Sequence, residues 1–439
     1  MLLSTQWLKR ELFEGLKLSS APRFYVALSG GVDSVVLLHL LVKLQEEHTF
    51  DLTALHVNHN LFHESDRWES HCRSMCESLG VAYKSVSLTL DSSSELAARS
   101  ARYDWFAQHV KLGDVLLTAH HKQDRAETFL FNLMRGAGST GLSSLRPKRR
   151  FKSSWLARPF LQATKEDIEE YARAHSLSWI DDPSNQDQSY SRNAIRHSII
   201  PEIQKHRADA VHNIARAAAN LEEENGLLRE IAISDLVDIR EQPIHPIDGS
   251  HALCTDDMSH LSRARKSNLI RFWLGVLQLH TPSRRLMAGL LNAAENPPNS
   301  TAVLQEGGMQ FRFYRGFMYV MPAKMNAIQF STIDWNNVTQ PIDIFESRWR
   351  LDATEKLLDL VNKRRGAQIR LVERASLHNP KALHGHSLNM KKWMQEMAIP
   401  PWRRASLPLL TLNSKKDDIL LGVVDQQYHN DWVSLEIAS

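Results

Sequence analysis

Residues 24–41 read FYVALSGGVDSVVLLHLL, and this stretch decides the fold of the first part of the chain. The apolar run FYVAL enters a short turn and a long apolar run leaves it, which predicts a strand, a tight loop and a helix. In such a unit the backbone N–H groups of the loop and of the helix N-terminus point at one place and form an anion site. Gly30 and Gly31 have no Cβ, so phosphate could approach the backbone there. The stretch therefore predicts a phosphate site after the first strand.

The alternation of strand and helix patterns continues to about residue 135. The apolar runs FYVAL, LTALHVN, AYKSVSL and DVLLTAH read as strands. The helical patterns that follow them cover about residues 34–47, 66–79, 94–110 and 122–135. Continuous apolar strands suit a parallel sheet that is covered on both faces. The prediction is a doubly wound α/β domain that binds its ligands at the carboxyl ends of the strands.

The rest of the chain predicts two smaller α+β domains after a long connector helix. TKED at 164–167 is a capping-box start for an earlier helix that runs to His175. We expect the first domain at 1–215, with the connector helix from about 201 to 230. The second domain is expected at 231–325 and a basic third domain at 340–439, with a polar linker between them.

Bulk composition describes a globular protein. The chain has 439 residues, of which 43% are hydrophobic and 23% charged, so two or three domains are expected. Three cysteines, with no CxxC, argue against a disulfide scaffold and for a reducing compartment. The N-terminal MLLSTQWLKRELFEGL reads as an amphipathic helix, not as a signal peptide. No run approaches the roughly 18 apolar residues of a membrane span. We therefore expect a soluble, cytoplasmic protein.

Basic residues are concentrated in two places, although the net charge is only +3. Residues 146–158 hold six Lys/Arg and no acid, and residues 361–410 hold ten Lys/Arg against two Glu. Such clusters are typical of nucleic-acid binding, and the alternative is a solvated basic face. The residues assigned to this binding are Arg149, Arg150, Lys363, Arg364, Arg365, Lys391, Lys392, Arg403 and Arg404.

The loop SGGVDS resembles the ATP-binding loop of the PP-loop ATP pyrophosphatases. The stretches that follow it resemble one family within that group, the tRNA(Ile)-lysidine synthetases. In chain order they are TALHVNHNLFHESD, AARSARYDWF, TAHHKQDRAETFLFNLMRGAGSTGLSSL, RPFLQATKEDIEEYARAHSLSWIDDPSN and YSRNAIRHSIIPEI. The resemblance is dense from about 24 to 205 and thinner through 299–316 and 390–410.

The resemblance implies a ligase that acts on the isoleucine tRNA with a CAU anticodon. ATP, with Mg²⁺, would adenylate the 2-keto oxygen of the wobble cytidine, and the ε-amine of L-lysine would displace AMP. The product, lysidine, would change codon reading from AUG to AUA. A homodimer is also among the expectations.

The resemblance also implies roles for individual residues. ATP binding falls to Ser29, Gly30, Gly31, Val32, Asp33, Ser34 and His56. The catalytic residues are Asp33, His120, Asp124, Arg192 and Arg196, and Asp33 is the candidate Mg²⁺ ligand. Glu127, Asp181, Asp182 and Asn185 would complete the substrate pocket. His120 and Asp124 are four residues apart, which predicts that they share a helix face.

Other interpretations remain open at this stage. The family usually has a second acid where this chain has Gln123, and Asn58 and Phe62 also depart from its pattern. A tRNA thiolase of the same superfamily is one alternative, and a tRNA-binding protein with a decayed ATP site is another. The acids and histidines near 120–127 could also be a capped, solvated helix start, and Arg192 and Arg196 could form surface ion pairs.

Overall fold

The computed structural model describes most of the chain. The described residues are 3–18, 23–58, 65–88, 95–143, 145–181, 191–245, 248–298, 302–324, 332–344, 349–364, 368–377, 380–383, 386–414, 417–425, 428 and 430–437. They form two compact units, 1–227 and 228–439.

The first unit contains a six-stranded sheet. Its strands are β1 (Arg23–Ala27), β2 (Asp51–Asn58), β3 (Ala82–Ser87), β4 (Val115–Leu117), β5 (Lys148–Phe151) and β6 (Ser154–Ala157). The strand order is β3-β2-β1-β4-β6-β5. All neighbours pair in parallel except β5, which pairs antiparallel with β6. The predicted parallel-sheet α/β fold is confirmed.

Helices follow the strands along the chain. The α-helices are α1 (Thr5–Arg10), α2 (Val32–Gln45), α3 (Ser65–Ser78), α4 (Glu95–His109), α5 (Lys122–Met134), α6 (Ser139–Leu142), α7 (Lys165–Ala174), α8 (Ser191–Ala194), α9 (Ile200–His206) and α10 (Ala210–Val237). Glu11–Gly15 and Ile195–Ile199 are π-helical, and Pro159–Gln162 is a 3₁₀ turn. The prediction of one connector helix is wrong. Arg207 is extended and ends α9, and α10 then continues to Val237.

The strands bury both of their faces, which explains their continuous apolar pattern. Phe24 and Val26 of β1 belong to a core that includes α2, whereas Tyr25 between them belongs to a core with Phe106 of α4. Alternate residues of a strand point to opposite faces, so helices cover the sheet on both sides.

The strand order places a crevice beside β1. From β1 the chain moves outward to β2 and β3, and it then returns to β4 on the other side of β1. The loops after β1 and β4 therefore diverge at a topological switch point, where doubly wound sheets bind ligands.

The second unit consists of smaller sheets with helices. One sheet has the order β7-β8-β11-β10-β9, and two others have the orders β12-β15-β16-β17 and β13-β14-β18. The strands are β7 (Glu241–Gln242), β8 (His251–Cys254), β9 (Leu304–Glu306), β10 (Met309–Tyr314), β11 (Phe317–Pro322), β12 (Ile333–Trp335), β13 (Ile342–Ile344), β14 (Trp349–Ala353), β15 (Gln368–Val372), β16 (Leu409–Ser414), β17 (Asp417–Val423) and β18 (Val433–Ile437). The helices are α11 (Arg263–Val276), α12 (Arg284–Glu295), α13 (Glu355–Lys363) and α14 (Met390–Glu396), with a 3₁₀ turn at Arg374–Ser376.

The expected pair of α+β regions is confirmed, and the exact domain boundaries stay a prediction. Among the described residues, no helix combines the length and apolar character needed to cross a membrane.

Candidate active site

Two serine hydroxyl groups close the loop between β1 and α2. The backbone N–H of Ser29 donates to Ser34 Oγ at 3.1 Å, and Ser34 Oγ donates to the Gly31 carbonyl at 2.9 Å. The two hydroxyl oxygens are 3.1 Å apart. Gly31 is the N-cap of α2, and the first N–H groups of a helix lack intrahelical acceptors. The loop therefore presents N–H groups and a helix N-terminus at the switch point, which suits phosphate.

Gly30 occupies a position that would strain any other residue. Its φ is +89°, and a Cβ there would lie 2.8 Å from Ile180 Cδ1 and 3.1 Å from Cys72 Sγ. Ile180 also donates its N–H to the Gly30 carbonyl at 3.0 Å. Ile180 thus packs directly on the loop between β1 and α2.

His56 supports the same loop from β2. Its Nδ1–H donates to the carbonyl of Leu28 at 2.9 Å, and the side chain is buried. Burial lowers the pKa of His56 and outweighs this hydrogen bond. The imidazole is therefore neutral at neutral pH.

Asp33, in the first turn of α2, connects the loop to α7 and to the residues after β4. Its Oδ1 accepts a hydrogen bond from Lys165 Nζ at 2.8 Å and lies 3.7 Å from His121 Nε2. Lys165 is the first residue of α7, and the predicted capping box fixes it there. Thr164 accepts from the N–H of Asp167, whose carboxylate accepts from the N–H of Thr164.

His121 lies between two carboxylates and was not assigned from the sequence. Its side chain is 4% exposed, and Nε2 lies 3.5 Å from Asp124 Oδ2 as well as near Asp33. Asp124 Oδ2 also accepts the backbone N–H of His121 at 2.9 Å, so it caps α5. The catalytic role is predicted for the adjacent His120 in HHKQD instead, because the sequence does not distinguish the two histidines.

The prediction that His120 and Asp124 share a helix face is wrong. His120 lies before α5, which begins at Lys122, and its Nδ1 is 2.9 Å from Thr118 Oγ1. Burial lowers the pKa of His120 to about 3, so this ring is neutral at neutral pH.

Arg192 and Arg196 both reach the acids of α5. Arg192 donates to Asp124 Oδ1 and to Glu127 Oε2, each at 3.1 Å. Arg196 donates from Nε to Glu127 Oε1 at 2.6 Å and from Nη2 to Asp124 Oδ1 at 3.3 Å. The Glu127 side chain is 0% exposed.

The ion pairs decide the protonation of the cluster. Burial alone would raise the pKa of Asp124, but the charges of His121 and Arg192 outweigh it and hold that pKa well below its usual range. Burial likewise opposes the charge of Arg196, but its hydrogen bond to Glu127 prevails and raises its pKa. Both groups are therefore ionised at neutral pH.

The contacts form one continuous charged cluster from the loop after β1 to α8. It contains three cations and three carboxylates around His121: Lys165, Arg192, Arg196, Asp33, Asp124 and Glu127. The three cations of the cluster balance its three carboxylates, so it offers positive charge to a phosphate and negative charge to an amine.

Not every predicted pocket residue joins this cluster. Asp181 is exposed, and it accepts the indole N–H of Trp179 at 3.2 Å. Asp182 and Asn185 lie outside the described residues, as does Arg365 of the basic set.

The basic residues divide into exposed and buried groups. The Arg150 guanidinium lies 4.2 Å from the Trp155 ring centre, and Arg149 lies 5.8 Å from that of Tyr103, both on the β5 hairpin. Lys363, Lys391 and Lys392 are exposed, and Arg364 is half-buried.

Arg403 and Arg404 require a correction. Their exposed fractions are only 1% and 7%. Arg403 donates to Asp248 Oδ2 at 2.7 Å, and Arg404 donates to the carbonyl of Ile399 at 2.9 Å. Because both guanidinium groups are used inside the protein, their burial counts against the expected contact with tRNA.

Family models match three parts of the chain. They describe a PP-loop domain at residues 4–203, a TilS substrate binding domain at 253–319 and a TilS substrate C-terminal domain at 361–431.

Whole-length relatives share one name. The tRNA(Ile)-lysidine synthase of Pseudomonas syringae pv. tomato is 35% identical over 414 residues, which cover 92% of this chain and 89% of that protein. The tRNA(Ile)-lysidine synthase of Legionella pneumophila (strain Paris) is 31% identical over 417 residues, which cover 94% and 93%. Among solved structures, the U34-tRNA thiolase NcsA from Methanococcus maripaludis has a TM-score of 0.43 and 18% identity, over 50% of this chain and 77% of that chain. That structural likeness is too low to bear on function.

Proposed function

Because this chain belongs to the tRNA(Ile)-lysidine synthase family, we propose that its charged cluster is the site where the wobble cytidine is activated and joined to lysine. The chain is a ligase that forms a carbon–nitrogen bond and uses ATP to form lysidine in tRNA(Ile). The observation that carries the proposal is the unbroken series of contacts from Asp33 through His121 to Asp124. It joins the loop of residues 29–34, which we assign to ATP, to Asp124 and Glu127 of α5 and to the two arginines at 192 and 196.

The loop of residues 29–34 is assigned to the triphosphate of ATP. Its N–H groups and the N-terminus of α2 would hold the pyrophosphate that leaves when AMP is transferred. Lys165 would add a positive charge at this end, and His56 would hold the loop in shape through Leu28.

Asp33 is assigned as the protein ligand of Mg²⁺. Among the described residues, no group of three or more His, Cys, Asp or Glu could hold a metal alone. Mg²⁺ at nucleotide sites usually takes one or two carboxylates together with phosphate oxygens and water, so one carboxylate beside the loop fits. When bound, Mg²⁺ would neutralise charge on the phosphates.

The arginines and Asp124 are assigned to the second substrate. The cytosine 2-keto oxygen would attack the α-phosphorus of ATP, and pyrophosphate would leave. The lysine ε-ammonium group would give one proton to water, the free amine would attack C2, and the C2–O bond would break as AMP leaves with the oxygen. Arg192 and Arg196 would face the transferring phosphate. Asp124 stays ionised because of its low pKa, so we assign it to attracting the lysine ammonium group rather than to storing a proton.

L-Lysine as the amine donor and the exposed basic residues as tRNA contacts are parts of this proposal. Association of two chains in a homodimer stays a prediction, which analytical ultracentrifugation can measure. A sulfur-inserting thiolase is not favoured: all three cysteines, Cys72, Cys76 and Cys254, are buried, and the relatives above are lysidine synthases.

The direct test is a lysine incorporation assay. The protein is incubated with ATP, Mg²⁺, radiolabelled lysine and tRNA(Ile), and label in the tRNA is counted. We expect incorporation with the wild type and a loss of at least about a hundredfold with Asp33→Asn. The matched control is Asp51→Asn, because Asp51 is an exposed, ion-paired carboxylate at the start of β2. Label that is insensitive to Asp33 would contradict the assignment.

A second readout separates the two steps. Pyrophosphate release is measured with tRNA present and lysine omitted. Release under these conditions would support adenylation of the cytidine as the first step. Release that requires lysine would contradict that order.

A further inference from the structure

Four charged side chains lie together in the interior of the second unit. They are His245, Asp248, Arg403 and Asp425, and none is more than 1% exposed. Two pairs of them are far apart in sequence, Arg403 and Asp248 by 155 residues and His245 and Asp425 by 180. We call these four residues the buried quartet.

The contacts of the quartet are short and alternate in charge. His245 Nε2 lies 2.7 Å from Asp425 Oδ2, and Nδ1 lies 3.4 Å from Asp248 Oδ1. Arg403 Nε donates to Asp248 Oδ2 at 2.7 Å. Ser250 completes the group, because it donates to Asp248 Oδ1 and accepts from Arg403.

The geometry favours a proton on both nitrogens of His245. Each ring nitrogen faces a carboxylate oxygen, and a carboxylate can only accept. The imidazolium donates from both positions, whereas a neutral ring would turn a lone pair toward one carboxylate. With the imidazolium, the quartet has two positive and two negative charges. Without its proton, the ring turns a lone pair toward one of the two buried carboxylates, and that repulsion is unfavourable inside the protein.

The neighbouring titratable groups agree with this charge state. Burial would lower the pKa of His245, but its hydrogen bonds to Asp248 and Asp425 outweigh burial and the nearby Arg403 and raise it. Tyr319 and Tyr428 face Arg403, and burial raises the pKa of both phenols, so they stay neutral.

The quartet connects the β7–β11 sheet to the C-terminal part of the unit. Asp248 and Ser250 directly precede β8, Arg403 follows α14, and Asp425 follows β17. Next to Arg403, the Trp402 ring contacts Tyr319 of β11, edge to face at 5.1 Å. Loss of the ionic contacts would therefore loosen the packing of this segment on the sheet.

We propose that the buried quartet is a proton-dependent lock, which holds the C-terminal part of the second unit on the β7–β11 sheet and opens when His245 loses its proton. The raised pKa of His245 belongs to the closed state, and an opened His245 has its ordinary value near 6.5. The stabilisation is therefore complete below pH 6.5 and declines as the pH rises through the closed-state value. Over that interval the opening equilibrium grows by up to about tenfold per pH unit.

Hydrogen exchange of the full chain tests the lock without tRNA or ATP. Protection factors, which remove the intrinsic effect of hydroxide, are measured between pH 6 and 9 for the amides of Ser250, Arg403 and Val424. We expect them to fall by up to about tenfold per pH unit above pH 6.5. The amide of Val26 in the first unit should not follow this course. Constant protection of all three amides over the interval would overturn the proposal.

Two variants assign the effect to His245. His245→Gln cannot carry the charge, so its protection factors should be lower at pH 6 and independent of pH up to 9. His245→Gln with Asp425→Asn restores charge balance against Arg403 and Asp248, and should regain at least part of the protection lost at pH 6. The matched control His251→Gln changes a half-buried histidine of β8 outside the quartet and should keep the wild-type pH dependence. A wild-type slope in His245→Gln would contradict the lock. If that variant does not fold, the wild-type pH profile decides.

Discussion

Glu127 is a single buried carboxylate that fixes two cations of the candidate site. Both of its oxygens are occupied, one by Arg196 and the other by Arg192 and Arg196 together. The Glu127 side chain is 0% exposed, so it does not reach a substrate, and it acts by positioning the arginines. The sequence assigned it to the substrate pocket, and the contacts indicate why a carboxylate is needed there.

Replacing Glu127 with glutamine should lower the rate of lysine incorporation by more than any loss of folding stability would explain. The neutral amide cannot bind two guanidinium groups as strongly, so both arginines shift. Misplacement of about 1 Å can cost about a hundredfold in rate, and we expect a loss of about ten- to a hundredfold in lysine incorporation. The control Glu169→Gln removes a half-exposed acid that is paired with Arg173 and lies outside the cluster, and it should leave the rate unchanged. Equal rates in the two variants would contradict the positioning role.

Gly30 offers a second test at this scale. Gly30→Ala adds a Cβ at positive φ, which costs about 1–2 kcal/mol, and also a clash with Ile180 and Cys72. We expect at least about a tenfold loss of ATP affinity, measured by calorimetric titration. Gly113→Ala is the matched control, because Gly113 has the same φ of +89° and a Cβ there would meet nothing within 4 Å. Unchanged ATP affinity in Gly30→Ala would show that the loop accepts the added Cβ and would contradict this prediction.

At the scale of elements, the site depends on where α5 and α7 begin. Asp124 caps α5 while it contacts His121 and the two arginines, so one residue both starts a helix and builds the site. The cap at the start of α5 is therefore confirmed for Asp124, whereas the catalytic interpretation of HHKQDRAET stays a prediction. The start of α7 places Lys165 beside Asp33 in the same way.

The effect of the α7 cap on ATP binding can be measured separately from its effect on helix stability. Thr164→Ala removes the capping hydroxyl and should destabilise the first unit by about 1 kcal/mol. Because Lys165 is the next residue, ATP affinity should also fall, by about two- to fivefold for a partly displaced surface charge. Thr354→Ala removes the same kind of cap from α13 in the second unit and should not change ATP affinity. ATP affinity is compared in both variants, and an equal change would contradict the link through Lys165.

The elements of the first unit could be predicted from the sequence because their signals are local. Apolar runs gave the parallel strands, and TKED gave the start of α7. Burial and ion pairing depend on residues that are far apart in sequence. They explain the predictions that were wrong. Arg403 reads as a surface charge beside Arg404, although Asp248, 155 residues earlier, pairs with it in the interior. The side chains of His120 and His121 point in different directions. The course of the backbone after β4 sets these directions, and the sequence alone does not show it.

At the scale of the whole molecule, the buried histidines of the first unit and the quartet of the second unit should respond to pH in opposite directions. In the first unit, burial, together with the nearby His175, lowers the pKa of His39 to about 4, and burial lowers that of His56. These rings must take up protons when the unit unfolds below pH 6.5. Unit 1 is therefore most stable above pH 6.5, whereas the quartet is most stable below it.

This difference predicts separate thermal transitions. As the pH falls from 6.5 to 4, the unfolding equilibrium of the first unit should increase by up to about tenfold per pH unit for each such histidine. His39→Gln should reduce this acid sensitivity, and calorimetry at pH 4.5, 6.5 and 8.5 measures it. His212→Gln is the control, because His212 is exposed on α10. An acid response of the same size in His39→Gln and in the wild type would contradict the assignment.

Binding of tRNA should depend on salt through the exposed cations only. Arg150→Gln should weaken binding at every salt concentration and reduce the slope of log K against log salt by about one if it contacts one phosphate. Fluorescence titration between 50 and 300 mM KCl measures the slope. Lys9→Gln is the control, because Lys9 of α1 is exposed and lies outside both basic clusters. A slope that does not change in Arg150→Gln would remove this arginine from the proposed surface.

The position of β5 at the end of the sheet order has a consequence for self-association. A terminal strand can present unpaired N–H and C=O groups, and such an edge can template pairing with another chain and start aggregation. Here the strand KRRF carries Lys148, Arg149 and Arg150 in a row. Two such edges would repel each other, because charged side chains on an edge strand oppose its pairing with a copy. Arg149 and Arg150, which we propose to attract RNA, would thus also oppose the formation of intermolecular sheets.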